Sequence, residues 1–108
     1  ELAAFIARQC PGEAPARVED GLLVTNGVSH GLDLAISVLA QPGEAILVEA
    51  PSYFLAARIF ASHGLEIIPV PTDAQGFLVE EVDAILDARP PGSPAVRLIY
   101  TVPAGHNP

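Results

Sequence analysis

The chain contains 108 residues, half of them hydrophobic, with 5 arginines, 13 acidic residues and no lysine, which gives a formal net charge of −8. This length suits about one domain with a buried core, and the acidic balance excludes a basic nucleic-acid-binding surface on this segment. No apolar run approaches the ~18 residues that span a bilayer, so we expect no membrane partner. The single cysteine, Cys10, cannot form an internal disulfide, which favours a cytoplasmic location.

Both ends of the sequence are abrupt. Residues 2–10 show the spacing of an amphipathic helix, residues 11–20 form a polar connection, and the sequence stops at Pro108 without a polar tail. We therefore expect the 108 residues to be a fragment of a longer protein. In this interpretation residues 1–20 are a helix end and a connection, and residues 21–108 are a βαβαβαβ segment.

Short apolar runs alternate with segments of helical spacing along the rest of the chain. The predicted strands cover about 22–26, 45–49, 66–70 and 96–102. The predicted helices cover about 29–40, about 78–88 and the segment that runs from Tyr53 to a left-handed C-cap at Gly64. Residues 71–76 and 89–95 are predicted to be loops. The alternation predicts right-handed crossovers and an α/β fold, a three-layer, mostly parallel sheet with helices on both faces.

The stretch VTNGVSHG at residues 24–31 joins the first predicted strand to the first predicted helix. Such a junction leaves unpaired backbone N–H groups at the positive end of the helix dipole, where an anion such as phosphate binds. Gly27 lets the backbone approach a ligand closely, and Ser29 offers a hydroxyl. The alternative is purely structural, with Ser29 as the N-cap and Gly27 as a turn residue.

Ligands of parallel sheets bind beyond the carboxyl ends of the strands. Three such ends contribute polar or aromatic groups here: residues 26–29, 49–53 and 101–107. An anion-binding turn, the ring of Tyr53 and the amide of Asn107 are therefore predicted to meet at one edge. We expect no metal site, because His63 and His106 lack the spacing of metal ligands. Local sequence leaves open whether His30 faces the anion or covers the helix, and Glu49 is most simply a strand-end residue.

Three motifs together resemble the fold-type-I pyridoxal-phosphate-dependent aminotransferases, within the branch of 2-aminoadipate and kynurenine aminotransferases. They are TNGVSHGLDL at 25–34, VEAPSYF at 48–54 and YTVPAGHNP at 100–108. The turns at 41–44 and 71–76 are also similar to those of the family. The resemblance covers nearly the whole chain and implies part of the cofactor-binding large domain.

The resemblance also implies roles for individual residues, with pyridoxal 5′-phosphate (PLP) as the cofactor. Gly27, Val28 and Ser29 would cradle its phosphate, largely through backbone N–H groups. Tyr53 would stack on the pyridine ring, and Asn107 would donate a hydrogen bond to the ring oxygen. Without the resemblance, Tyr53 fits core packing equally well, and Asn107 fits a turn residue before proline better.

The family's reaction passes an amino group from an amino acid to a 2-oxo acid and needs a lysine that bonds to the cofactor. This chain contains no lysine, so no catalytic residue is expected within it and the 108 residues alone should be inactive. In the family the lysine, an acid that pairs with the pyridine nitrogen and usually an arginine for the substrate lie further along the chain. The resemblance implies a homodimer for the full protein.

The family's sheet implies that strand 96–102 lies beside strand 45–49, with strand 66–70 at the outer edge. Strand 22–26 would stand apart or collapse against 96–102, because its usual neighbours come later in sequence. The isolated chain should therefore expose apolar edges and be poorly stable.

An alternative function is the aminotransferase-like effector domain of a GntR/MocR-type transcription regulator. A basic helix-turn-helix upstream of this segment would distinguish it from the enzyme.

Overall fold

The computed structural model describes Phe5, Arg8, residues 22–103 and Gly105. The predictions for the helix end and connection at 1–20, and for Asn107, fall outside the described residues. The described helices are α1 (Gly27–Leu39), α2 (Phe54–Ser62) and α3 (Val79–Asp87). The described strands are β1 (Ala45–Ala50), β2 (Glu66–Asp73), β3 (Gly76–Phe77) and β4 (Val96–Tyr100).

The four strands form one sheet in the order β3-β2-β1-β4. Strand β1 is central and pairs in parallel with both β2 and β4, with Leu47 opposite Ile68 on one side and Ile99 on the other. The predicted parallel pairing and the neighbouring position of the 45–49 and 96–102 strands are therefore confirmed. The 66–70 strand is predicted at the outer edge, but β3 lies outside it.

The central strand contributes side chains to two separate cores because successive residues of a strand point to opposite faces. Ile46 and Val48 pack with residues of α1 and α2, including Ile36 and Phe60, on one face. Ala45 and Leu47 pack on the other face with Ile68 and Val70, where Val82 and Ile85 of α3 cover them. Helices thus lie on both faces of a mostly parallel sheet, which is the predicted three-layer α/β architecture.

The predicted first strand at 22–26 is wrong. Residues 22–25 have no strand conformation, and Leu23 and Val24 are 74% and 75% exposed. An apolar run becomes a strand only where a neighbour completes its backbone hydrogen bonds. Within the described residues no strand pairs with this segment, so it stands apart as extended chain leading into α1.

The second correction concerns residues 71–76, predicted as a loop. Strand β2 continues through Pro71 to Asp73, turns at 74–75, and pairs antiparallel with β3 through Thr72 opposite Phe77. Two prolines are tolerated in β2 because β3 pairs only with its last two residues, so most of its outer side is a sheet edge. A turn-rich sequence therefore forms a small hairpin.

The predicted end of the second helix agrees closely with the structure. Gly64 has a φ of +74° after α2, and the N–H groups of Gly64 and Leu65 donate to Ala61 and Phe60. This is the paired bond pattern of a Schellman C-cap. At the same edge the Gly43 N–H donates to the Gly64 carbonyl at 2.9 Å, which ties the start of β1 to the end of α2.

Several large apolar side chains of the described residues face solvent, among them Phe54, Val79 and Ile99, which are 60–68% exposed. Ile99 lies on β4, whose outer edge pairs with no described strand. Poor stability of the isolated chain stays a prediction. None of the described helices combines the length and the apolar character needed to cross a membrane.

An ion pair at the amino edge of the sheet predicts a pH-dependent contribution to stability. Arg89 donates to both carboxylate oxygens of Glu66, at 3.2 and 3.0 Å, and to the carbonyl of Pro94. These hydrogen bonds and the Arg89 charge lower the pKa of Glu66 below its ordinary value of 4.5. A lowered folded-state pKa stabilises the fold above the unfolded pKa, and the contribution is lost as pH falls through the folded pKa.

We therefore expect Arg89→Ala in the full-length protein to lower the thermal unfolding midpoint at pH 7, and to lower it less at pH 3.5. The effect is small because Glu66 is exposed. Arg97→Ala is the control, since Arg97 Nε lies 3.9 Å from Glu44 and makes only a loose pair. A destabilisation by Arg89→Ala that is equal at both pH values would contradict the assignment.

Candidate functional site

The first turn of α1 presents backbone N–H groups without a side-chain cap. The helix begins at Gly27, two residues before the predicted start, so Asn26 is the N-cap and Ser29 lies in the third helical position. Asn26 makes no capping hydrogen bond through its side chain, and the first turn contains no acidic residue. Val28 and Ser29 are exposed. The positive end of this helix is thus open to an anion.

Gly27 has the conformation that this turn requires. Its φ is +78°, which a side chain disfavours, and a Cβ built on it would meet no atom within 4 Å. Thr25 holds the turn by donating its hydroxyl to the Gly27 carbonyl at 3.0 Å. The prediction that Ser29 is merely an N-cap is therefore wrong, because the chain enters the helix earlier than the hydrophobic spacing indicated.

His30 covers the start of the helix. The Asn26 N–H donates to its Nδ1 at 3.0 Å, so the neutral ring carries its proton on Nε2. This bond occupies the Asn26 N–H, which would otherwise be free to donate to an anion. His30 thus contacts the turn itself, and a role toward the anion stays a prediction.

Tyr53 follows β1 at the carboxyl edge of the sheet and is the N-cap residue of α2. Its half-buried ring packs against the same core cluster as Leu32 of α1. It also makes an edge contact with Phe54, with ring centroids 5.7 Å apart. The hydroxyl oxygen of neighbouring Ser52 is buried and has no hydrogen-bond partner among the described residues.

The structure places the predicted phosphate turn and the predicted ring partner on one face of the sheet. Helix α1 ends at the amino edge, where only residues 41–44 separate Ala40 from β1. Its 13 residues extend about 20 Å back from there, which directs Gly27 toward the carboxyl edge, where Tyr53 lies. Asn107, the third predicted contact, is outside the described residues.

A cleft that the sequence did not predict lies at the carboxyl edge, on the α3 side of β1. It has a volume of about 490 Å³ and is lined by Glu49, Thr72, Asp73, Phe77, Thr101 and Val102, among others. The hairpin of β2 and β3 forms one wall, and the segment after β4 forms the other. The one available signal was the carboxylate within the otherwise apolar run Ala45–Ala50.

Tyr100 is a strand residue beside this edge. Its ring packs on Phe60 with centroids 5.2 Å apart, so it belongs to the core facing α2. Burial raises its pKa above the ordinary value of 10, and the nearby Glu49 and Tyr53 add to the increase. The hydroxyl therefore stays protonated at neutral pH and can donate a hydrogen bond.

No three His, Cys, Asp or Glu side chains gather as a possible metal site in the described part of the chain. Nε2 of His63 lies 2.7 Å from Oδ1 of Asp33, which links α2 to α1. His106 lies outside the described residues.

Comparison with known proteins decides the family. The family model described as aminotransferase class I and II matches residues 1–108. The chain belongs to the class I and II aminotransferase family. The resemblance to this family is thereby confirmed.

Individual relatives agree with the family assignment. An aromatic amino acid aminotransferase of Schizosaccharomyces pombe is 40% identical over 90 residues, covering 81% of this chain and 19% of that protein. A solved kynurenine aminotransferase of Pyrococcus horikoshii, in complex with pyridoxamine phosphate (PMP), superposes with a TM-score of 0.79. It is 28% identical, and the match covers 99% of this chain and 26% of that one.

A further relative bears on the predicted alternative. An uncharacterised helix-turn-helix transcriptional regulator of Escherichia coli is 28% identical over 104 residues, covering 95% of this chain and 21% of the regulator. The 108-residue chain thus spans about a fifth to a quarter of the length of these relatives.

Proposed function

We propose that this chain is a fragment of the cofactor-binding large domain of a PLP-dependent aminotransferase. The full protein transfers an amino group from an amino acid to a 2-oxo acid. The observation that carries the proposal is the uncapped first turn of α1, directed toward the same edge and face of the sheet as Tyr53, in a chain of the aminotransferase family.

The phosphate of PLP fits the start of α1. Backbone N–H groups of Gly27, Val28 and Ser29 are the orphan donors of a helix N-terminus, where a phosphate is favoured by hydrogen bonds and by the dipole together. No acidic side chain in the first turn opposes the negative charge. The Ser29 hydroxyl, exposed in the first turn, adds a further donor.

The ring of PLP fits beside Tyr53, whose aromatic face holds a flat ring at little entropic cost. Asn107 donates a hydrogen bond to the ring oxygen from the segment after β4. When bound, PLP supplies an electron sink that stabilises negative charge at the α-carbon of the amino acid. This chain's residues bind and orient the cofactor, and they move no proton themselves.

The full protein must supply the lysine that bonds to the cofactor, because the 108 residues contain none. We therefore propose that the 108 residues alone are inactive and that the full protein is a cytoplasmic homodimer. Exposed apolar side chains such as Val28 and Ile99 support burial against further parts of the chain or a second subunit.

The test is an absorbance and transamination assay of the full-length protein. Purified with PLP, it should show cofactor absorbance that changes when an amino acid is added, and should form a new amino acid from 2-oxoglutarate. The 108-residue chain should form no new amino acid. Absence of PLP binding by the full-length protein would overturn the proposal.

A second candidate is the effector domain of a transcription regulator, which the similarity to the E. coli regulator favours. It is the weaker candidate, because that relative is less identical to this chain than the S. pombe aminotransferase. A full-length protein that binds duplex DNA at physiological salt, through a basic domain outside this acidic segment, would support it.

A further inference from the structure

Glu49 is a charged residue in the most deeply buried strand. It occupies the fifth position of β1, between Val48 and Ala50, and is only 4% exposed. A carboxylate is tolerated at such a depth only when its oxygens are hydrogen-bonded. The simple interpretation as a strand-end residue therefore does not account for it.

Both carboxylate oxygens of Glu49 bind the segment that follows β4. The Thr101 hydroxyl donates to Oε1, and the Val102 N–H donates to Oε2 at 3.0 Å. These partners are more than 50 residues away in sequence, so the bonds fix a tertiary arrangement.

The bonds lie where the backbone ladder between β1 and β4 stops. The last paired residues are Val48 and Tyr100, although β1 continues to Ala50. This is why the predicted strand at 96–102 ends early. The Glu49 side chain accepts hydrogen bonds from Thr101 and Val102, the two residues that follow the last ladder pair.

We propose that Glu49 is a positioning residue that fixes residues 101–103, the start of the segment whose sequence continues to Asn107, the residue that the proposed function assigns to the cofactor. The proposal rests on the proposed function, since it needs PLP as the group that Asn107 contacts. Asn107 follows Val102 by five residues, and Pro103 restricts φ at the first of these steps. An anchored segment loses less conformational entropy when the cofactor binds.

Thr101→Val is the most informative variant. It replaces one side-chain group by another of nearly the same size at an exposed position, so the fold should persist. It removes the hydroxyl donor and leaves Oε1 of buried Glu49 without this partner. Thr72→Val is the matched control, because Thr72 lines the same cleft and its hydroxyl lies 3.4 Å from the Ala50 carbonyl, a weak bond.

The experiment titrates PLP into the cofactor-free full-length protein and follows absorbance. We expect Thr101→Val to weaken PLP binding about tenfold, because the segment that has lost this anchor must be ordered when PLP binds. Thr72→Val should change it less than about twofold. Glu49→Gln should bind PLP nearly as well as wild type, because the amide oxygen still accepts from Val102 and the amide N–H₂ can donate to the Thr101 oxygen.

A double-mutant cycle separates positioning from general destabilisation. If Glu49 acts through Asn107, Thr101→Val should add less than about a twofold loss in an Asn107→Ala background. Amide exchange at Val102 should be faster in Thr101→Val and unchanged in Thr72→Val. Unchanged PLP affinity in Thr101→Val would overturn the positioning role of Glu49 and leave the proposed function standing. Losses of PLP affinity that multiply in the double variant would do the same. Absence of PLP binding by the wild type would overturn the proposed function and this role together.

Discussion

Replacing Phe60 by alanine in the full-length protein should lower the free energy of unfolding by about 3–5 kcal/mol, the cost typical of deleting a buried aromatic side chain. Phe60 is fully buried and lies in the centre of the core between α2 and the sheet. Its ring meets that of Tyr100, so the variant loses the aromatic contact between α2 and β4 as well as the buried area. Chemical denaturation followed by circular dichroism measures the change.

Phe54→Ala is the matched control for this prediction. It removes the same side chain from the same helix, but Phe54 is 66% exposed. It should therefore cost less than about 1 kcal/mol. Equal losses for the two variants would show that α2 is packed differently from the structure described here.

Replacing Tyr53 by alanine should weaken PLP binding by the full-length protein by about 1–3 kcal/mol, or roughly 5- to 150-fold in the dissociation constant. The ring lies at the carboxyl edge and packs on the core that also contacts α1. In the proposed function this ring is the stacking partner of the flat cofactor. Titration of the cofactor-free protein with PLP gives the affinity directly.

Tyr53→Phe distinguishes stacking from other roles of this residue. It keeps the aromatic face and removes only the hydroxyl, so PLP affinity should fall less than about threefold if stacking dominates. Full affinity in Tyr53→Ala would reject the stacking role. A loss in Tyr53→Phe as large as that in Tyr53→Ala would assign the effect to the hydroxyl.

The architecture could be predicted from sequence because its signals are local. The continuous apolar run of β1 indicates a strand covered on both faces, and the spacing of Ala56 and Phe60 indicates one buried helix face. Gly64 is needed where the chain leaves α2 with a positive φ. Each of these features depends on a few neighbouring residues.

The incorrect predictions concern the pairing of strands. The apolar run at Leu23 and Val24 has strand composition, but no described strand completes its hydrogen bonds. Strand β3 consists of only two residues, and its existence depends on Thr72 and Asp73 across the hairpin. Whether an apolar run becomes a strand is decided by its partner, which local composition does not reveal.

The candidate site was predictable in part for the same reason. A helix N-terminus after a glycine is visible in sequence, and so is an aromatic residue after a strand. The bonds from Glu49 to Thr101 and Val102 cross more than 50 residues and have no local pattern. The bond from Asn26 to His30 is local, but two arrangements of the ring suit the sequence equally well.

The most direct test is a crystal structure of the full-length protein with PLP bound. Phosphate oxygens should lie within about 3.2 Å of the backbone nitrogens of Val28 and Ser29, the distance of N–H···O hydrogen bonds. The Tyr53 ring should cover the pyridine, with Asn107 at its edge. A phosphate held elsewhere, or Gly27, Tyr53 and Asn107 on different sides of the molecule, would contradict the claim that the first turn of α1 is the phosphate site.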